Sequence, residues 1–85
     1  MIYVYILRSL SNPEQTYVGF TRNLSDRLKR HNAGVCTYTS KYIPWNVVTY
    51  TAFADLDLAI EFEKYLKTSS GKKFMSQRLV KKEIL

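Results

Sequence analysis

Residues 16–32, TYVGFTRNLSDRLKRHN, join a β-type run directly to a basic helical segment. Asn23 suits the N-cap of that helix, because its side chain can accept a hydrogen bond from the first turn. The helix is predicted to run to about Ala33. Gly34 then falls at the C′ position, which favours glycine. The segment thus predicts a strand that leads directly into a helix.

The N-terminal side of this unit contains a second strand. Residues 1–8 alternate in the manner of a strand, with Tyr3, Tyr5 and Leu7 on one face. The segment 10–15 contains Asn-Pro, a typical turn signal. An antiparallel hairpin between residues 1–8 and 15–20 is therefore predicted.

The C-terminal side of the unit alternates between loop, strand and helix. The predicted segments are a loop over 35–45 in which Pro44 prevents a helix, a strand over 46–53, a helix over 56–67 capped by Asp55, a Ser-Ser-Gly break, and a short helix over 72–82. The predicted fold class is α+β, a three-stranded antiparallel sheet flanked by helices in the order β-β-α-β-α-α. A chain of 85 residues has room for one such domain, here residues 1–85.

The composition, with 46% hydrophobic and 24% charged residues, is that of a globular domain. Cys36 is the single cysteine, which excludes an intrachain disulfide and a cysteine-based zinc site. A free thiol suits the reducing cytoplasm, the expected location. No apolar stretch approaches the roughly 20 residues of a membrane span, so no membrane association is expected.

The net charge of +6 is concentrated in residues 22–41 and 64–85. Such clustering favours a polyanionic partner, and nucleic acid is the commonest one. A solvated basic surface that aids solubility is the alternative. The residues expected to bind nucleic acid are Arg22, Arg30, Lys41, Lys67, Lys72 and Lys73.

Glu63 lies inside the apolar arc of the predicted second helix, whereas Glu61 falls on its solvated side. A carboxylate on a buried face is costly unless it is paired or bound to a cation. An ion pair, for example with Arg27, would explain it structurally. A metal ligand or catalytic group is the functional alternative.

Arg27 and His31, one turn apart, flank the inward stripe of Leu24 and Leu28 on the first helix. A satisfied, half-buried histidine is the ordinary explanation for His31, and Arg27 can simply neutralise a carboxylate.

Two tyrosines, Tyr5 and Tyr17, can lie on one face of the hairpin as cross-strand neighbours. Packing explains either tyrosine alone. Together with an arginine, a histidine and a misplaced carboxylate, however, two phenols on one wall suit the hydrolysis of a phosphodiester.

These residues occur in an order and spacing that resemble the GIY-YIG nuclease family, specifically its small stand-alone single-domain members. The resemblance covers nearly the whole chain. It rests on Tyr3 to Tyr5, Tyr17 to Gly19, the helix Asn23 to Asn32, the loop TSKYIPW, the helix Ala59 to Lys67 and the segment SSGKKF. Each tyrosine motif alone is unspecific, and their order with the Arg and Glu helices makes the resemblance strong.

The resemblance implies a role for five residues. Tyr5 and Tyr17 match the motif tyrosines, one of which is proposed to activate water. Arg27 matches the arginine that stabilises the phosphate, and His31 matches a position that assists orientation or proton transfer. Glu63 matches the carboxylate that holds one divalent ion, usually Mg²⁺, with Mn²⁺ as a substitute.

The sequence departs from the family pattern at three positions. At one of them no asparagine follows Asn46, so a polar residue of larger members is missing or replaced. Tyr3 replaces the glycine of the first motif, which is tolerated if the backbone there needs no positive φ. Phe20 follows Gly19 where some relatives carry a lysine. Because Tyr5, Tyr17, Arg27 and Glu63 are all retained, activity is favoured over an inactive scaffold.

Three functions follow as hypotheses. The first is a metal-dependent endonuclease that acts on nucleic acid, with DNA expected, in repair or recombination. The second is a catalytically silent nucleic-acid-binding module, in which the loop aromatics Tyr38, Tyr42 and Trp45 grip strands by stacking instead of packing in the core. The third is a protein-interaction domain whose basic face docks an acidic partner, which no sequence feature specifically supports.

Overall fold

The computed structural model describes residues 1–81 as three strands and three α-helices. The strands are antiparallel in the order β2-β1-β3, and they comprise β1 (Ile2–Ser9), β2 (Thr16–Thr21) and β3 (Trp45–Phe53). The helices are α1 (Leu24–Asn32), α2 (Leu56–Leu66) and α3 (Ser69–Arg78). This confirms the predicted α+β class and the order β-β-α-β-α-α. None of the described helices is long and apolar enough to cross a membrane.

Strand β1 lies in the middle of the sheet, and both of its faces are buried. Its sequence is apolar or aromatic from Ile2 to Leu7, which suits a strand covered on both sides. One face supplies what we call the aliphatic core, together with residues of β2, α2 and the end of the described chain. Its buried members are Ile2, Val4, Ile6, Val18, Ala59, Leu66 and Val80.

The opposite face of β1 supplies a second cluster, which we call the aromatic core. Its buried members are Tyr5, Leu7 and Trp45. Leu24 and Leu28 of α1 pack against it, as their inward stripe predicts. Helix α1 therefore covers one face of the sheet while α2 covers the other.

Helix α1 begins and ends where the sequence predicts. The Asn23 side chain accepts a hydrogen bond from the Asp26 backbone N–H at 3.0 Å. At the other end Gly34 has φ of 78°, and its N–H donates to the His31 carbonyl at 3.1 Å. The Val35 N–H donates to the Arg30 carbonyl, which completes a Schellman motif. Both predicted caps are confirmed, and the second one fixes the turn of helix that carries His31.

The predicted Ser-Ser-Gly break is wrong. Those residues form the first turn of α3, because Thr68 acts as its N-cap and accepts a hydrogen bond from the Gly71 N–H at 3.0 Å. The helix also ends earlier than predicted, at Arg78, and residues 79–81 already lie outside it. The predicted end, Lys82, lies outside the described residues.

The predicted loop over 35–45 contains a short helix that the sequence did not indicate. Residues Thr39–Tyr42 form a 3-10 helix, which ends before the cis peptide bond between Ile43 and Pro44. Pro44 thus bounds this helix instead of excluding it, because a 3-10 helix needs only a few residues.

Candidate active site

The two motif tyrosines lie on the same face of the hairpin, as predicted, but they are diagonal neighbours. Tyr5 is paired with Gly19 across the strands, and Tyr17 is paired with Leu7. The centroids of the two tyrosine rings are 6.4 Å apart. Tyr5 is fully buried, whereas Tyr17 is half-buried. Only Tyr17 of the pair is therefore accessible from outside.

Gly19 leaves the space that the Tyr5 ring occupies. A Cβ atom at Gly19 would lie 2.6 Å from Tyr5 Oη and 2.8 Å from Tyr5 Cζ, closer than real Cβ atoms approach. Its φ lies outside the left-handed region, so room for the phenol and not backbone conformation requires glycine here. Tyr3, which replaces the motif glycine, needs no such freedom, because no described non-glycine residue has a positive φ.

His31 is buried, with only 2% of its surface exposed, and both ring nitrogens have partners. Its Nε2 lies 3.0 Å from Tyr5 Oη, and its Nδ1 lies 2.9 Å from Thr39 Oγ1. Thr39 Oγ1 also donates to the Cys36 carbonyl at 3.4 Å, so its lone pairs are available to His31. This network assigns the proton to Nδ1 and makes Nε2 the acceptor of the Tyr5 hydroxyl proton.

Burial controls the protonation of this pair. It raises the pKa of Tyr5 to about 12, helped by the neighbouring Tyr17, while the charge and hydrogen bond of Arg27 act in the opposite direction. Burial also lowers the pKa of His31, and the positive charge of Arg27 adds to that effect. At neutral pH Tyr5 is therefore a phenol and His31 a neutral imidazole. This state is the one that the hydrogen bond between them requires.

Thr39 holds the imidazole and is itself held by Trp45, and no sequence feature indicates either role. Thr39 is fully buried, and its carbonyl accepts a hydrogen bond from Trp45 Nε1 at 2.9 Å. The Asn32 side chain bonds both the N–H and the carbonyl of Trp45, which ties the end of α1 to the start of β3. A threonine in a polar loop carries no periodic signal, so only the fold identifies it.

A cavity of about 270 Å³ opens beside this buried pair. It is lined by Tyr17, Arg27, Arg30, His31, Val35 and Cys36. Hydrogen bonds from Thr39 lower the pKa of the Cys36 thiol at its edge. A larger cavity of about 550 Å³ at the start of α1 has mainly apolar walls around Tyr3 and Tyr50. The smaller cavity is therefore the candidate active site, because it combines two guanidinium groups with a phenol and an imidazole.

Arg27 borders more than this cavity. With Phe20 and Leu56 it also lines a space of about 380 Å³ that reaches the start of α2. Phe20, at the position of the family lysine, packs against the aliphatic core instead. Arg27 therefore borders both the candidate cavity and a space that reaches the helix carrying Glu63.

Glu63 is largely buried, as its place in the apolar arc predicts, with 13% of its side chain exposed. Its ion-pair partner is Lys67, whose Nζ lies 2.6 Å from Glu63 Oε2, and not Arg27 as the structural alternative proposed. Glu61 is exposed, again as predicted. Among the described residues, Glu63 does not line the candidate cavity, although Arg27 borders both that cavity and the space at the start of the helix that carries Glu63.

The fit of a divalent ion depends on Glu63. Within residues 1–81, no three His, Cys, Asp or Glu side chains form a group that would enclose a metal ion. Mg²⁺, however, is commonly held by one or two carboxylates, substrate phosphate and water, so a single carboxylate fits this ion. Glu63 would be the protein ligand, and Lys67 would have to move from the oxygen that it occupies.

The predicted nucleic-acid contacts are all exposed, as such contacts require. This holds for Arg22, Arg30, Lys41, Lys67, Lys72 and Lys73. Arg30 lines the candidate cavity directly, and Lys67 already neutralises Glu63. Their role in binding stays a prediction, as do the catalytic roles of the five site residues.

Comparison with known proteins identifies the class. The model of the GIY-YIG catalytic domain matches residues 1–77, so the chain belongs to the GIY-YIG family. A solved structure of a UPF0213 protein from Bacillus halodurans is similar, with a TM-score of 0.55 and 28% identity. That match covers 93% of this chain and 87% of the other.

Among curated proteins, the chain is similar to structure-specific endonuclease subunits named SLX1. The relative from Malassezia globosa is 44% identical over 68 residues, which cover 73% of this chain and 15% of that protein. The homologue from Giardia intestinalis is 35% identical over 65 residues, 72% of this chain and 18% of that protein. The chain thus spans less than a fifth of the length of these two relatives.

Proposed function

We propose that this chain is an endonuclease that hydrolyses phosphodiester bonds of DNA with the help of one divalent ion, and that it serves DNA repair or recombination. The observation that carries the proposal is the buried pair of Tyr5 and His31 beside Arg27, at an open basic cavity. Family membership and the endonuclease relatives support it. Because those relatives are named structure-specific, branched DNA is the substrate to test first.

In this proposal Tyr17 and Arg27 contact the substrate. Tyr17 is the phenol that reaches the cavity, so its hydroxyl orients the attacking water against the phosphate. The Arg27 guanidinium takes up the negative charge that develops on the phosphoryl oxygens. Arg30, also at the cavity, binds a neighbouring phosphate.

Tyr5 and His31 act behind this surface as positioning residues. Tyr5 Oη donates its proton to His31 Nε2, and the Nδ1–H of His31 donates to Thr39. These two hydrogen bonds fix the imidazole of His31, whose edge closes the cavity. Tyr17 packs against the imidazole, and the centroids of the two rings are 5.0 Å apart. A divalent ion held by Glu63 supplies, when bound, a lowered pKa of water and positive charge for the phosphate.

Cleavage assays with wild type, Glu63→Gln and Arg27→Ala test the proposal. Supercoiled plasmid and branched oligonucleotides are incubated with Mg²⁺, Mn²⁺ or EDTA. We expect metal-dependent cutting by the wild type and a loss of about 100-fold or more in both variants. Glu61→Gln is the matched control, because Glu61 is an exposed carboxylate on the same helix, and it should cut like the wild type. Wild-type rates in Glu63→Gln would refute the proposal.

Metal binding has its own measurement. The electron paramagnetic resonance signal of free Mn²⁺ should fall on addition of wild type with an oligonucleotide. Glu63→Gln should bind less Mn²⁺ and Glu61→Gln as much as the wild type. Equal binding by both variants would remove Glu63 as the ligand.

A second candidate, a nucleic-acid-binding module without cleavage, is favoured by one observation. Lys67 forms an ion pair with Glu63, and its Nζ occupies the side of Oε2 that a metal ion would need. This candidate predicts binding that weakens steeply with salt, because basic residues release counterions from the phosphates. Binding of that kind with no cutting in either metal would support it over the endonuclease.

A further inference from the structure

The aromatic series of the site continues outward from Tyr17 to the protein surface. The rings of Tyr17 and Tyr38 have centroids 6.1 Å apart and are tilted by 37°. Tyr38 is 55% exposed. Of the other loop aromatics, Trp45 belongs to the aromatic core and Tyr42 packs against it. Tyr38 is thus the loop aromatic that remains available to a ligand.

Tyr38 is displayed on a fixed support. It is the N-cap residue of the 3-10 helix, directly before Thr39, which is fully buried and hydrogen-bonded to His31. Trp45 Nε1 holds the Thr39 carbonyl from the other side. The backbone beneath Tyr38 is therefore anchored to the same residues that hold the site imidazole, although most of its side chain lies in solvent.

Other apolar side chains of this region are also exposed. Val35, which lines the candidate cavity, is 61% exposed, and Ile43 after the 3-10 helix is 39% exposed. Val35 lines the cavity, and Tyr38 packs on Tyr17 of the same lining, so apolar and aromatic surface is exposed directly beside it. The adjacent guanidinium groups of Arg27 and Arg30 indicate that the ligand is anionic. A nucleotide combines both properties, an apolar base and an anionic phosphate.

We propose that Tyr38 is a stacking platform for an unpaired nucleobase next to the phosphate that is cleaved. The inference rests on the proposed nuclease function and deepens it. A phosphate bound between Arg27 and Tyr17 places an adjoining nucleotide near Tyr38, because Tyr17 packs against that ring. An unpaired base can turn onto the phenol ring, whereas a base inside a duplex is held by its pair and its own stacking neighbours. Tyr38 thereby selects DNA with single-stranded or branched character.

A purely structural role for Tyr38 predicts something different. If Tyr38 only supports the Tyr17 ring, its removal lowers cleavage of every substrate by the same factor. If it stacks on a base, its removal affects substrates with an unpaired nucleotide more than fully paired ones. The ratio of kcat/KM on the two substrates separates these roles.

The experiment compares wild type, Tyr38→Ala, Tyr38→Phe and Tyr50→Ala on a flap oligonucleotide and on a fully paired duplex of the same sequence. Tyr50 is the matched control, because it is 54% exposed, packs on Tyr3 and lies on β3, across the central strand from Tyr17. We expect Tyr38→Ala to lower the flap-to-duplex ratio of kcat/KM about tenfold, mainly through KM. Tyr38→Phe, which keeps the ring, and Tyr50→Ala should keep the ratio. An unchanged ratio in Tyr38→Ala would overturn the inference.

A binding measurement in EDTA separates failure of this inference from failure of the nuclease proposal. The probe is an oligonucleotide with 2-aminopurine at the unpaired position, whose fluorescence is quenched on stacking. Wild type and Tyr38→Phe should quench it, whereas Tyr38→Ala should bind with little quenching. Equal quenching by Tyr38→Ala would overturn the inference even if the chain cleaves DNA. Tyr38-dependent quenching without any cleavage in Mg²⁺ would support the stacking site and refute the nuclease.

Discussion

The two faces of the sheet are built from alternate residues of one strand, but different interactions hold them together. On the aliphatic face, Ile2, Val4 and Ile6 meet α2 through shape and burial alone. On the aromatic face, Tyr5 and His31 are equally buried but carry polar atoms, and each such atom finds a hydrogen-bond partner. The first face is held by apolar packing, and the second holds candidate site residues without leaving the polar atoms of Tyr5 and His31 unsatisfied.

Each face depends on one glycine that admits a close neighbour, and these two glycines give the sharpest comparison. Gly71 lies where α3 begins against the last turn of α2, and Gly19 lies under the Tyr5 ring. A methyl group at the first position meets backbone, and at the second it meets a side chain. We therefore expect the two alanine variants to fail in different ways.

The largest effect is expected for Gly71→Ala. The added Cβ would overlap the Tyr65 carbonyl and lie 2.7 Å from Leu66 Cα, and backbone of a packed helix cannot give way. The loss in free energy of unfolding should reach about 3 kcal/mol or more, the upper range for overpacking. Urea denaturation measures it, with Ser70→Ala as the control because Ser70 is exposed in the same turn. A fully stable Gly71→Ala would contradict the close packing of α2 and α3.

Gly19→Ala should cost less stability and more activity. The methyl group would displace the Tyr5 phenol, and the hydrogen bond to His31 Nε2 would lengthen or break. We expect a loss of about 1–3 kcal/mol in the free energy of unfolding, because a buried hydroxyl loses its partner. The cleavage rate should fall by a larger factor than the fraction of folded protein does. A variant that remains folded and cuts at the wild-type rate would show that the position of Tyr5 is not required.

The smallest effect is expected from protonation of the aromatic face. The pKa of His31 is lowered in the folded protein, so on acidification the unfolded chain binds the proton first, below about pH 6.5. Stability should therefore be complete above pH 6.5 and fall as the pH drops below it, until the lowered pKa of the folded state is reached. Urea titrations between pH 5 and 8 measure this slope.

His31 is the only histidine of the chain, so a variant at this position provides a direct control. His31→Gln should be less stable overall but lose the component of the slope near pH 6.5. A wild-type stability that rises on acidification through this range would contradict the buried neutral imidazole. The difference in slope between the wild type and His31→Gln is therefore the contribution of the imidazole.

Much of the fold could be read from local patterns. Each predicted strand agrees with the observed strand to within one residue at either end, because alternation and turn residues are local signals. The Ser-Ser-Gly segment was misjudged, because the Thr68 cap and the packing of Gly71 on α2 outweigh the low helix propensity of glycine. The 3-10 helix was missed because four residues are too few to show a period.

Some features of the candidate site could likewise be predicted from local patterns, and others could not. Helical periodicity placed Arg27 and His31 at the edge of the core and marked Glu63 as out of place, and its burial agrees with that. The pairing of Glu63 with Lys67 could be found only from the packed structure. A glycine inside a strand is a weak sequence signal of a close contact, and Gly19 carries that signal. No sequence signal indicates the role of Thr39.

The sequence by itself determined the strands, the two caps of α1 and the fold class. It also determined that five candidate site residues follow the order of the family's motifs. These depend on neighbours within one turn or one strand, where side-chain spacing and capping chemistry decide. Tertiary structure alone decided which phenol is buried and which is open, which nitrogen of His31 carries the proton, and which loop aromatic faces solvent. These depend on contacts between residues far apart in the chain, and burial and hydrogen bonding there fix protonation and access.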